Sequence, residues 1–202
     1  MPGIDELISN SLANSIRNNL DPTIEQKVKL TLFKKYGTSL SPAIKEFSKV
    51  DGILKEFLKL DALDFEIKCL KTILDIKNLK GFYLVTIKDK NLIDLFLEVL
   101  GDKEYGRIIE SSISKPLLIT EIIDICQLPK TSAYRKINYL LRNGFLIEAG
   151  KEFTAKRRSV EKLSTIFQKI NFELDENQKL IKLTIPAKIV EQSTSIQVML
   201  EQ

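Results

Sequence analysis

Thr131, Ser132, Arg135, Asn138, Tyr139 and Arg142 recur at spacings that set them largely on one side of a helix. Small hydroxyls at a helix start anchor phosphate, and an arginine one turn further in can hydrogen-bond a base edge in a major groove. The open amides of a helix N-terminus favour phosphate at the same place. Lys130 and Lys136 add charge beside this set and Tyr134 sits on its flank. On the other side Ile137, Leu140 and Leu141 cluster within about 100° at 100° per residue and are expected to pack inward. From 127 to 163, nine cations (Lys130, Arg135, Lys136, Arg142, Lys151, Lys156, Arg157, Arg158 and Lys162) meet three carboxylates, Glu148, Glu152 and Glu161. The whole chain carries only +4, so the remainder is slightly acidic and the positive charge is concentrated in one segment. That distribution is the footprint of a surface for a polyanion. The adjacent cations Lys156, Arg157 and Arg158 repel one another unless an anion compensates them.

Other chemistries find little to work with. The chain has no histidine, which removes the commonest general base and most zinc sites. Cys69 and Cys126 each lie among apolar residues at helical spacing and read as small buried hydrophobes, not as a disulfide or ligand pair. The glycines are isolated at element boundaries and form no phosphate-cradling loop. No enzyme activity, cofactor or metal is therefore expected. No apolar run approaches the roughly 20 residues that span a bilayer, and the start Met1-Pro2-Gly3-Ile4-Asp5-Glu6 lacks the basic-then-apolar order of a signal peptide, so a cytoplasmic protein without membrane contact is expected.

The elements that would position the basic segment follow from periodicity. Ile4, Leu7, Ile8, Leu12, Ile16 and Leu20 lay an apolar stripe along a first helix; Ile24, Val28, Leu32, Phe33 and Tyr36 do so along a second that opens at Pro22 and closes at Gly37. Further helical patterns run through Ile44 to Leu58 and from Ala62 to Leu74. Gly81 to Ile87 reads as a strand, Lys90 to Leu100 as a helix capped by Asp89, and Tyr105 to Ile113 as another. A short helix from Thr120 to Cys126, the turn Gln127-Leu128-Pro129 and a longer helix over 130–143 make a helix-turn-helix. Gly144, the strand Phe145-Leu146-Ile147 and the basic loop 150–158 follow as a wing, and a second hairpin joins Ile170–Leu174 to Ile181–Ile185. The expected fold is mainly α: a helical regulatory or dimerisation domain over 1–75, a strand-helix connector over 76–100, a winged helix-turn-helix α+β domain over 101–186 and a tail over 187–202.

Pro129-Lys130-Thr131-Ser132-Ala133-Tyr134-Arg135-Lys136-Ile137-Asn138-Tyr139-Leu140, with Asn143-Gly144-Phe145-Leu146 after it, resembles the recognition helix and first wing strand of ArsR-like winged-helix regulators, those of archaea especially. Phe145 stands in one of that pattern's leucine positions. Leu163 to Phe172 is similar to the β-extension of many such proteins, and Lys34–Leu40 with Phe57–Glu66 resembles a small helical domain of archaeal regulatory proteins, with Leu60-Asp61 where a Gly-rich turn stands there. The resemblance implies DNA contact at Thr131, Ser132, Tyr134 and Arg135. It brings no metal sensing, since the cysteine and histidine ligands are missing. The expectation is a sequence-specific regulator of transcription that binds double-stranded DNA as a homodimer joined through its helical region. The competing expectation is a winged-helix adaptor for proteins, which would present a neutral or apolar recognition face.

Overall fold

A computed structural model describes residues 3–153, 159–174, 176 and 178–200. The first helix, α1 (Gly3–Asn19), buries Ile4, Leu7, Ile8, Leu12 and Ile16, as their spacing predicts. Burial of these side chains is worth on the order of 10 kcal/mol before chain entropy is subtracted. Asp21 then caps α2 (Pro22–Tyr36) by accepting from the amides of Thr23 at 2.8 Å and Ile24 at 3.4 Å. Gly37 ends it in the left-handed conformation, φ 64°. Only Val28 and Leu32 of α2 are buried; Phe33 and Tyr36, expected on the same stripe, face outward.

The pattern from Ile44 to Leu58 divides into α3 (Leu40–Ile44) and α4 (Ser48–Leu58). A single 3-10 turn (Lys59–Asp61) leads into α5 (Ala62–Ile73), which packs on α1. β1 (Leu74–Leu79) and β2 (Phe82–Ile87) form a hairpin through Gly81, followed by α6 (Lys90–Gly101) with Asp89 as its cap. α7 (Lys103–Ile113), β3 (Leu117–Leu118), α8 (Ile119–Cys126) and α9 (Lys130–Arg142) come next. β4 (Leu146–Phe153) and β5 (Ser159–Thr165) are joined through 154–158, and β6 (Lys169–Leu174) and β7 (Lys179–Pro186) make the last hairpin. α10 (Ala187–Val190) and α11 (Thr194–Leu200) follow.

Helices and antiparallel sheet thus make a mixed fold. One sheet has the order β1-β2-β7-β6 and the other β3-β5-β4. In the first, Tyr83, Val85 and Ile87 lie opposite Ile185, Leu183 and Ile181, and this inward row meets α6. The strand of the 76–100 segment is therefore paired with one from the second hairpin. Nearly all the buried apolar residues from Ile4 to Ile196 belong to one continuous cluster, in which Phe96 stacks tilted against Phe145 at 4.7 Å and Phe167 at 6.3 Å. α1 reaches the turn after α9: a Cβ on Gly144, φ 72°, would lie 2.5 Å from the Leu7 amide nitrogen and 2.8 Å from the Gly3 carbonyl oxygen. Residues near the two chain ends also meet. The Asp5 carboxylate accepts from the Ser193 hydroxyl (2.5 Å), the Thr194 amide (2.8 Å) and hydroxyl (3.0 Å), and the Ser195 amide (3.2 Å) and hydroxyl. No helix among the described residues is long and apolar enough to cross a membrane.

Candidate nucleic-acid interface

The basic segment rests on three helices and a three-stranded sheet. α8 is held at its start by Glu121, whose carboxylate accepts from the Leu118 amide at 2.7 Å. It ends at Gln127, which takes the left-handed conformation at φ 51°, and buried Leu128 pins the turn before Pro129 opens α9. No side chain caps α9, so its first amides keep their capacity for an outside acceptor. Ala133, Ile137 and Leu140 face the core and are fully buried. That fixes which side of the helix is left outside.

Along this outer side Lys130, Thr131, Tyr134, Arg135, Asn138 and Arg142 are all exposed. At 100° per residue they occupy one arc of about 140°. Among the described residues Lys130, Arg135 and Arg142 make no ion pair, so their charge is not spent within the chain. Ser132, expected beside them, is half-buried and its hydroxyl donates to Glu104 at 3.3 Å. Tyr139 is also half-buried, its ring 5.3 Å from that of Tyr105; burial first and Glu98 second push its hydroxyl above the usual tyrosine range.

Lys136 is where the sequence-based placement fails. It is only 8% exposed, lies 4.0 Å from the centre of the Tyr105 ring, and sets its Nζ 2.7 Å from Asp102 and 3.5 Å from Glu104. Burial opposes its charge, but the hydrogen bond and charge of Asp102, helped by Tyr105 and Glu104, outweigh it and raise the ammonium above the ordinary lysine range. The same carboxylate uses its other oxygen to cap α7, accepting from the amides of Glu104 (2.8 Å) and Tyr105 (3.1 Å). The Lys136 hydrogen bond, with these amides behind it, holds Asp102 below the usual carboxylate range. Lys136 is thus a strut fixing α9 to the start of α7, and its charge is neutralised inside the protein. Asp102 and Glu104 were missed as partners because they lie far from Lys136 in sequence; the readable signal was an acidic pair flanking a helix start.

The β4–β5 hairpin is laced across its strands. Lys151 is exposed and stands 4.0 Å from Glu161, while Lys162 meets Glu152 at 2.7 Å. The ladder slips between Glu148 and Lys151, next to Gly150. Beside this bulge the neighbouring Glu161 carboxylate, with burial behind it, raises the Glu148 carboxyl above the usual range. Lys156, Arg157 and Arg158 lie outside the described residues.

Elsewhere Cys69 and Cys126 are buried free thiols, and burial pushes Cys69 up to about 11, which keeps it unreactive. Among the described residues no group of histidine, cysteine or carboxylate side chains is placed to hold a metal ion. Comparisons with protein-family models, curated proteins and solved structures give no match to this chain.

Proposed function

We propose that the protein is a sequence-specific regulator of transcription that binds double-stranded DNA through a winged helix-turn-helix. In this reading α8 and α9 form the helix-turn-helix, α9 enters the major groove, and the β4–β5 hairpin is the wing along the phosphate backbone. The observation that carries it is the exposed arc of Lys130, Thr131, Tyr134, Arg135, Asn138 and Arg142, whose cations make no ion pair among the described residues. An internally balanced helix would have paired them, as Lys136 is paired. Thr131 and the first amides of α9 suit phosphate; Arg135 suits a guanine edge. One such helix reads only a few base pairs, so two copies are needed to read half-sites about one turn of DNA apart. The helical region supplies that contact.

Selection of a site from random duplexes, followed by anisotropy titrations, tests this. Arg135→Ala should weaken the selected site by about 1 to 3 kcal/mol and relax its sequence preference. Replacing Lys156, Arg157 and Arg158 together should weaken all duplexes alike and flatten the salt dependence by roughly one unit per lost phosphate contact. Unchanged affinity in both variants would remove DNA from the account. An adaptor role is the second reading, favoured by Ile125, which stands 58% exposed at the end of α8. A partner held through Ile125 and indifferent to salt would decide for it.

A further inference from the structure

The outer side of α2 carries two large apolar groups that the described residues leave mostly exposed: Leu30 is 59% and Phe33 70% exposed. Lys27 and Lys34 flank them on that side. The acidic residue of this helix, Glu25, is turned away and paired with Lys29. A second uncovered patch follows α4. Lys59 adopts φ 55° and ψ −119°, a conformation that residues with a side chain disfavour, and the turn it makes leaves Leu60 96% exposed. Leu63 beside it is 43% exposed, and Asp61 and Asp64 point to solvent around the pair. Among the described residues none of Lys27, Lys34, Asp61 and Asp64 makes an ion pair. The two patches lie on adjoining elements, since Lys35 at the end of α2 holds Glu56 in the last turn of α4 at 2.7 Å, just before the Leu60 turn.

We propose that these patches are the two halves of one self-complementary surface that docks a second copy of this chain, α2 of one protomer against the Leu60 turn of the other. A two-fold axis between them brings each apolar-basic patch onto an apolar-acidic one, twice over, as an isologous contact requires. The apolar groups supply the buried area, and the lysines and aspartates fix orientation and reject the like-with-like arrangement. An anionic lipid surface would suit α2 alone but would be repelled by Asp61 and Asp64 next to it. The inference identifies the contact invoked for two half-sites, but it stands without DNA and is tested without it.

Sedimentation of the full chain over a range of micromolar concentrations is the experiment. The wild type should pass from monomer to dimer. Lys27→Glu with Lys34→Glu should raise the dissociation constant about tenfold or more, and so should Asp61→Lys with Asp64→Lys. The combined variant, with all four charges exchanged, should recover the wild-type constant. All four sites are solvated, so far-ultraviolet dichroism should confirm an unchanged fold in each. A wild type that stays monomeric, a dimer indifferent to both pairs, a combined variant that is not rescued, or a monomer that binds anionic vesicles through Leu30 and Phe33 would each overturn the proposal.

Discussion

Arg135 and Lys136 carry the same charge one position apart, and only Arg135 keeps it available to a partner. Exchanging each should therefore fail in a different assay. Lys136→Met keeps the aliphatic stem against Tyr105 but removes the donor from Asp102, and should cost about 1 to 2 kcal/mol in urea unfolding. Under the proposed DNA-binding role, the salt dependence should be the same as in wild type. Arg135→Ala should leave stability within about 0.5 kcal/mol. A Lys136→Met protein of normal stability that has lost a phosphate contact would reverse the assignment. Glu66 offers a second test at this scale. It is fully buried on α5, and neither carboxylate oxygen has a hydrogen-bond partner among the described residues. Burial first, and then the charge of Asp51 on α4, push its carboxyl from 4.5 to about 8, against the pull of Lys55. The fold keeps a proton that the unfolded chain releases above about pH 4.5, so this group's contribution is full below that pH and is lost as pH rises toward 8. Glu66→Gln, always neutral, should match wild type near pH 4.5 and exceed it by roughly 1 to 4 kcal/mol above pH 8. Parallel stability curves at all pH values would show that Glu66 is ionised and solvated after all.

Elements were legible where a local pattern decides them and illegible where a distant one does. The α1 stripe buries as spaced because five apolar positions on one face leave no other choice. In α2 the same periodicity shows a helix, but Phe33 and Leu32 stand on different flanks, and which flank turns inward depends on α4, not on α2 itself. β1 escaped notice because it is an edge strand of Leu74-Asp75-Ile76-Lys77-Asn78-Leu79 in which only Leu74 is buried, so no alternation marks it. The arc on α9 could be read from spacing, whereas Lys136 could not, since its partners sit on α7. Gly144 was legible as a helix stop, though not as the place where α1 presses on the turn. Its two constraints can be separated by comparison with Gly37, which has φ 64° and open space where a Cβ would go. Gly37→Ala should cost about 1 kcal/mol, the left-handed penalty alone. Gly144→Ala should cost above about 3 kcal/mol, because its methyl would meet the backbone of α1. Equal losses in denaturant titrations would mean that α1 does not lie there.

At the scale of the whole molecule, the continuous core and the close approach of α1 to Gly144 bind the helical region to the segment that carries α9. Heat or denaturant should then unfold the protein in one transition, with calorimetric and van't Hoff enthalpies equal. Two resolved transitions would show that the parts of the chain unfold separately. The same wiring has a consequence for the order in which the chain is made. Val85 pairs with Leu183, about a hundred residues later, and among the described residues the Asp5 carboxylate accepts from Ser193, Thr194 and Ser195. At a synthesis rate of about 5 to 20 residues per second, β2 and the start of α1 spend on the order of ten seconds outside the ribosome before β7 and α11 exist to meet them, while α3 and α5 pack on the rest of α1 much sooner. For that interval the nascent chain shows the β2 edge that β7 will later pair, so its greatest exposure to aggregation and its greatest need of a chaperone fall during its own translation.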